Sequence, residues 1–254
     1  MQVNIDESIA VVTGAGRGNG EAIAKRLAEN GASVIVNDLE LEPAEETVTD
    51  IESAGGTATA VTADVGSDEE IEEMFDYVRE QFDRVDILVN NAGVGAVAPI
   101  TEKPSAKKWS EVLESHIWGA INCCTQAVDM MTSQGYGKII NITSIHTKHG
   151  VGMTPQYDVA KFGMLGLTRS LAQELGREGV RVNAVAPGWT NTRMTAGRDT
   201  PRGRIVEQNP LGRFAEPEEI ANAVLFLASP ASDYINGHEL RVDGGQVPID
   251  SWKK

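Results

Sequence analysis

The chain has 254 residues, 41% of them hydrophobic and 5% aromatic, with 26 glycines and a formal charge of −15. That length is enough to bury the core of one large domain. So acidic a balance argues against nucleic acid or an anionic membrane surface as partner. Met1 to Ser8 lacks the basic and apolar pattern of a secretory leader, and no window approaches eighteen uninterrupted apolar residues. A soluble cytoplasmic protein with no membrane span is therefore expected. Cys123 and Cys124 are adjacent in a helical pattern and read as small core residues, with no disulfide and no metal cluster expected.

In chain order, apolar β-rich runs fall at 9–13, 33–38, 57–61, 87–90, 138–142 and 181–186, with a short one at 239–242. Helical patterns lie between them near 18–30, 43–54, 68–82, 106–133, 155–177 and 217–228. The acidic runs 38–52 and 68–80 read as solvated helix faces. Strict alternation predicts an α/β fold: a doubly wound, Rossmann-type parallel sheet of about seven strands, with helices on both faces. No repeat or linker divides the chain, so 1–254 is read as a single domain. The segment 193–213 has Gly, Pro, many charges and only a faint helical period, and reads as a mobile lid.

Directly after the first strand comes Thr13-Gly14-Ala15-Gly16-Arg17-Gly18-Asn19-Gly20, then a helical run. Glycines at a strand–helix turn let a diphosphate approach backbone N–H groups at the helix N-terminus. The second strand ends in Asp38, placed to accept hydrogen bonds from the adenosine ribose and to repel a 2′-phosphate. A loop-capping role for Asp38 is the other reading. Arg17 pulls towards a 2′-phosphate, but Leu39 adds no second cation, so NAD is preferred to NADP.

Tyr157 and Lys161 stand four apart on a predicted helix, hence on one face, with Ser144 thirteen residues before the tyrosine. A neighbouring ammonium stabilises a phenolate and is expected to lower the phenol's pKa from its usual value of about 10. That gives a proton donor and acceptor for carbonyl and alcohol chemistry.

With these motifs in order, joined by Asp64-Val65, Asn90-Asn91-Ala92-Gly93 and Pro187-Gly188-Trp189-Thr190-Asn191-Thr192, the chain resembles the short-chain dehydrogenase/reductase family in its single-domain form, over residues 8–245. The resemblance assigns Gly14, Arg17, Gly18, Asn19, Gly20, Asp38 and Leu39 to the cofactor, and Asp64 and Val65 to its adenine. It puts Asn91, Ala92 and Gly93 against the adenosine ribose. Tyr157 and Lys161 fall near the nicotinamide ribose, and Pro187, Gly188, Thr190 and Thr192 at the carboxamide. It implies that Ser144 holds the substrate oxygen while Tyr157 moves its proton. Hydride then passes between substrate and nicotinamide. The family's fourth catalytic position, normally asparagine, is His116 here, read as a structural replacement within a working proton relay. Asn19 replaces a usually apolar residue, which backbone contacts would tolerate.

Family pattern places the substrate between residues 94–97, His146, Lys148, His149, Met153, Trp189 and the lid. Arg193, Arg198, Arg202, Arg204 and Arg213 face only Asp199 and Glu207 in that lid. Either they clamp an anionic group on the substrate or they meet acidic helices of this chain or of a neighbouring subunit. The expected function is an NAD-dependent interconversion of a small secondary alcohol and its ketone by a homotetramer. The alternatives are an NADPH-dependent 3-oxoacyl carrier-protein reductase and a catalytically silent dinucleotide-binding regulator.

Overall fold

The computed structural model describes residues 3–95, 97–148, 150, 153–196 and 202–247. Seven strands form one parallel sheet: β1 (Ile9–Val12), β2 (Ser33–Asp38), β3 (Thr57–Thr62), β4 (Ile87–Asn90), β5 (Gly137–Ile142), β6 (Val180–Pro187) and β7 (Glu239–Val242), in the order β3-β2-β1-β4-β5-β6-β7. Every residue of β1, β4 and β5 is buried, as continuous apolar runs covered on both faces require. Each lies within a residue or two of its expected bounds.

The helices are α1 (Gly18–Ala28), α2 (Leu41–Ser53), α3 (Asp68–Phe82), α4 (Ala106–Leu113), α5 (Gly119–Gln134), α6 (Pro155–Leu175), α7 (Arg202–Gln208) and α8 (Pro217–Ala228). One apolar layer gathers Ile23, Leu27, Val224 and Leu227 of α1 and α8 against Val12, Val34 and Val36. The other gathers Ile71, Phe75, Met131 and Leu175 against Val11, Leu88 and Ile139. Cys123 and Cys124 are free and buried in this second layer, where burial pushes both thiols up, Cys124 to about 12. Among the described residues no helix is long and apolar enough to cross a membrane.

Winding outwards from β1 to β3 and back to β4 leaves a gap between the loops that follow β1 and β4, where parallel folds of this kind bind ligands.

One expectation needs correction. The stretch 106–133 is not one helix: a π-helical turn, Glu114–Trp118, separates α4 from α5. Such a turn accommodates one extra residue without breaking the helix direction. Beyond it Gly119 runs so close to Val65 that a Cβ would lie 2.6 Å from Cγ2. The segment 193–213, read as a lid, contains regular secondary structure. It holds a 3-10 turn, Arg193–Thr195, and α7, whose Ile205 is buried along with Phe214.

Asp86, 1% exposed, accepts the Ile9 N–H at 2.8 Å and binds Arg84 at 2.9 and 2.6 Å, fixing the start of β1 beside β4. Asp86→Ala strands that N–H and should cost about 2–3 kcal/mol. A thermal melt should show the midpoint lowered by roughly 4–12 °C.

Candidate active site

Thr13 ties the two strand tips together. Its hydroxyl donates to the Val89 carbonyl (3.3 Å) and accepts from the Asn91 and Ala92 N–H groups (3.0 Å each). The Asn91 side-chain amide donates back to the Thr13 and Gly14 carbonyls at 2.9 and 3.0 Å. Gly14 and Gly18 have φ of +60° and +59°, which favours glycine. A Cβ on Gly14 would meet Ala92 Cα at 2.9 Å, and one on Gly20 would meet the Gly14 carbonyl at 2.1 Å. The loop is thus a bare-backbone cradle at the N-terminus of α1. Asn19 adds a buried amide oxygen with no partner. This polar cradle fits the diphosphate of a dinucleotide.

At the end of β2, Asp38 accepts the Gly16 N–H at 2.9 Å and the Glu40 N–H at 3.3 Å. The loop-capping reading of Asp38 is therefore realised, while the same side chain lines the cleft. Arg17 is engaged by Glu40, and Leu39 stands 68% exposed at the cleft edge. Asp64 Oδ1 accepts the Gly66 N–H at 2.9 Å, and the Val65 carbonyl accepts from Asn122 at 3.0 Å. Both residues line the same cleft, of about 1380 Å³.

At its inner end, β5 delivers Ser144 two residues past the strand, and α6 presents Tyr157 and Lys161 on one face. The Lys161 ammonium donates to the Ile142 carbonyl at 2.7 Å and lies 5.4 Å from the centre of the Tyr157 ring. The expected lowering of the phenol's pKa is not what the surroundings produce. Burial pushes Tyr157 up to about 12; a hydrogen bond from Ser144 pulls the other way and the Asp158 charge adds to the rise. Burial likewise pushes Lys161 down to about 7. Proximity was legible in the spacing, but desolvation of both groups decides the direction.

His116 occupies the π-helical turn, 3% exposed, edge-on to Tyr157 with ring centres 5.4 Å apart. Its Nε2 is 3.0 Å from the Val94 carbonyl. A carbonyl only accepts, so Nε2 carries the hydrogen and Nδ1 is left as a buried acceptor without a partner. The ring fills the space that a side chain on Gly93 would take, where a Cβ would lie 1.9 Å from Cε1. Burial first, then the Lys161 charge, lowers the imidazole to about 3.

Pro187 ends β6, Gly188 passes within 2.8 Å (from a built Cβ) of Asp243 Cα, and Thr190 and Thr192 follow along the cleft. Thr192 faces Gly18, closing one side. The lid arginines separate. Arg213 pairs with Glu219 through both nitrogens, as the acidic-helix alternative expects. Arg202 binds Asn191 and stacks 4.2 Å from the Phe214 ring centre. Arg193 lines the cleft with Trp189, whose ring lies 5.8 Å from that of Phe214. Met153 is 57% exposed; Arg198 and His149 lie outside the described residues.

Two residues at the site carry no signal in the sequence taken alone. Asp158 binds His146 Nδ1 at 2.6 Å, from within the Tyr-x-x-x-Lys segment. Glu239, in β7, accepts from Thr143 and Thr147 behind the Ser144 turn at 2.8 and 2.7 Å. Among the described residues no His, Cys, Asp and Glu group could hold a metal ion.

The chain is similar to known proteins along most of its length. A family model described as enoyl-(acyl carrier protein) reductase matches residues 14–246. The 3-oxoacyl-[acyl-carrier-protein] reductase FabG of Staphylococcus epidermidis is 40% identical over 238 residues, 93% of this chain and 97% of its own. A crystal structure of a putative gluconate dehydrogenase from Agrobacterium tumefaciens superposes with a TM-score of 0.94 at 35% identity, covering 98% and 100% of the two chains. A gluconate 5-dehydrogenase from Burkholderia cenocepacia, in complex with NADP and tartrate, gives 0.91 at 30% identity over 96% and 97%.

The His116 imidazole gives a pH test of stability. Its pKa in the fold, about 3, lies below the ordinary 6.5, so below pH 6.5 the unfolded chain takes up a proton that the fold refuses. This contribution to stability is present above pH 6.5 and is lost progressively as the pH falls towards 3. It should account for about 2 kcal/mol between pH 7 and pH 5. Urea titrations at those two values should show that loss reduced by about that amount in His116→Asn.

Proposed function

The chain belongs to the short-chain dehydrogenase/reductase family of oxidoreductases, and from that premise we propose that it interconverts a small secondary alcohol and its ketone with NAD. The observation that carries the reading is the convergence of Ser144, Tyr157 and Lys161 at the inner end of the cleft that starts at the glycine cradle. The nicotinamide supplies or accepts the hydride. Ser144 holds the substrate oxygen by hydrogen bonding, beside the phenol it already contacts. Tyr157, protonated at neutral pH, donates its proton to a ketone oxygen; in the reverse direction it first gives that proton up towards Lys161 and then takes the alcohol's. Lys161 is poised near neutrality between the Ile142 carbonyl and the phenol, suited to passing that proton on. His116 supports this end of the cleft by holding the 93–94 backbone.

NAD is favoured by Asp38 and by Glu40, which occupies Arg17 and adds negative charge where a 2′-phosphate would lie. Arg17 and the FabG relative support the second reading, an NADPH-dependent 3-oxoacyl carrier-protein reductase, in which Arg17 must leave Glu40. Arg193 at the cleft supports a substrate bearing an anionic group. Trp118, Val159 and Phe162 leave 56%, 52% and 48% of their surface exposed around the π-helical turn and α6, which fits burial between copies in a homotetramer.

Absorbance at 340 nm, with NAD or NADP and a panel of secondary alcohols and hydroxy acids, tests the reading. Turnover should favour NAD by at least about tenfold in kcat/KM, the equivalent of 1.4 kcal/mol. Glu40→Ala should narrow that preference by freeing Arg17; a preference for NADP in the unaltered protein supports the second reading. Tyr157→Phe should lower kcat by at least about a hundredfold. His116→Asn should keep most turnover, and a complete loss would give the imidazole a chemical role. Dinucleotide binding without turnover on any alcohol would leave a silent binding protein.

A further inference from the structure

Beside the phenol stands a second polar pair that the proposed chemistry does not use. His146 lies two residues after Ser144, in the 3-10 turn Ile145–Thr147, and its ring meets the Tyr157 ring edge-on with centres 5.1 Å apart. Its backbone N–H donates to Ser144 Oγ at 3.2 Å, so the two residues are aimed by one short turn. Its Nδ1 is 2.6 Å from Asp158 Oδ1, and that carboxylate also accepts from the Thr154 hydroxyl at 3.2 Å. The side chains of His146 and Asp158 are 14% and 15% exposed, at the wall of the cleft rather than in the core.

The turn is fixed from behind as well. The buried Glu239 carboxylate accepts from Thr143 and Thr147, and lies 2.6 Å from the Lys148 ammonium. The same Thr147 hydroxyl lies 2.8 Å from the Ser144 carbonyl, so its one hydrogen is shared between these two acceptors. An imidazole held at one nitrogen by a carboxylate, on a turn clamped at its back, has little freedom to reorient.

The chemistry of its free nitrogen follows. A carboxylate only accepts, so the hydrogen of the uncharged ring sits on Nδ1, and in that form Nε2 presents a lone pair. Among the described residues Nε2 has no hydrogen-bond partner, and it is not one of the polar atoms sealed from solvent. His146, Ser144, Thr154 and Tyr157 line the same cleft. A group bound there must give a hydrogen to Nε2. A hydroxyl does so at no charge cost, whereas a carboxylate would lie against Asp158.

We propose that the His146–Asp158 pair is a substrate subsite that accepts a hydrogen bond from a hydroxyl on the carbon next to the reacting one, so that the enzyme selects vicinal diols and polyols over simple secondary alcohols. This rests on the reading of Ser144 and Tyr157 as the site of alcohol oxidation. Asp158 fixes the tautomer, and His146 reads the second hydroxyl while Ser144 holds the first.

Matched pairs test it: butan-2-ol against butane-2,3-diol, and cyclohexanol against trans-cyclohexane-1,2-diol, with 2-hydroxybutanoate as the anionic arm. The diol of each pair should exceed its mono-alcohol by about tenfold or more in kcat/KM, since a site built to bond a hydroxyl rejects the analogue lacking it. In His146→Phe, which keeps a ring against Tyr157, the ratio should collapse towards one. His146→Gln, which keeps an acceptor, should recover part of it, and Asp158→Asn should lower it by loosening the tautomer. Equal use of diol and mono-alcohol by the unaltered enzyme would overturn the subsite, as would a ratio undiminished in His146→Phe or equal losses on both substrates. A preference for 2-hydroxybutanoate without one for the diols would also overturn it, in favour of an anion site. Turnover of alcohols without diol preference removes the subsite alone; no turnover of any alcohol with either cofactor removes the dehydrogenase reading and the subsite with it.

Discussion

The cleft depends on one small constraint, the clasp between Thr13 and Asn91. Parallel strands that diverge in the winding order leave a gap at their tips, and a gap in a packed protein tends to close. Here the Thr13 hydroxyl and the Asn91 amide take up five backbone groups between them, so the tips of β1 and β4 are joined by hydrogen bonds to main chain alone. No side chain needs to fill the space above. The glycines at 14 and 20 then keep it open: either, given a methyl group, would collide with backbone that the clasp has fixed. Cradle and clasp are one device.

At the other end of the cleft, burial plays the part that the Thr13 clasp plays at the first. It moves Tyr157 and Lys161 in opposite directions on the pH scale, but to the same effect, favouring the uncharged form of each. An exposed phenol and ammonium at the same spacing would keep their ordinary values and pair weakly. Sealed together beside the Ile142 carbonyl, they respond strongly to any charge that enters the cleft, because little water remains to screen it.

What the sequence reveals follows the range over which each signal acts. Strand runs and helix faces are local patterns, and they placed all seven strands. Tyr157, Lys161 and Ser144 were legible because two are joined by helical spacing and the third by a family pattern. The π-helical turn was not, since one extra residue between 106 and 133 barely disturbs an apolar stripe. α7 was hidden because the side chains that anchor its region, Ile205 and Phe214, are nine positions apart among arginines. The direction of the Tyr157 shift was missed for another reason: spacing gives neighbours but not depth. His146 with Asp158, and Glu239 with Thr143 and Thr147, pair across elements, where no periodicity reports them.

Two histidines meet the same phenol edge-on, and their surroundings give them different chemistry. His116 is sealed, its hydrogen committed to a carbonyl and its lone pair left without a donor; lowered to about 3, it stays neutral and behaves as a shaped spacer above Gly93. His146 has its hydrogen committed to a carboxylate instead, and its second nitrogen is not sealed. A carbonyl and a carboxylate both fix the tautomer, so the difference lies in what the remaining nitrogen faces. Facing the core, it can only pack. Facing the cleft, one turn from the serine that would hold the reacting oxygen, it can discriminate between substrates. Residue type alone would assign both histidines the same role; the backbone that carries each one separates them.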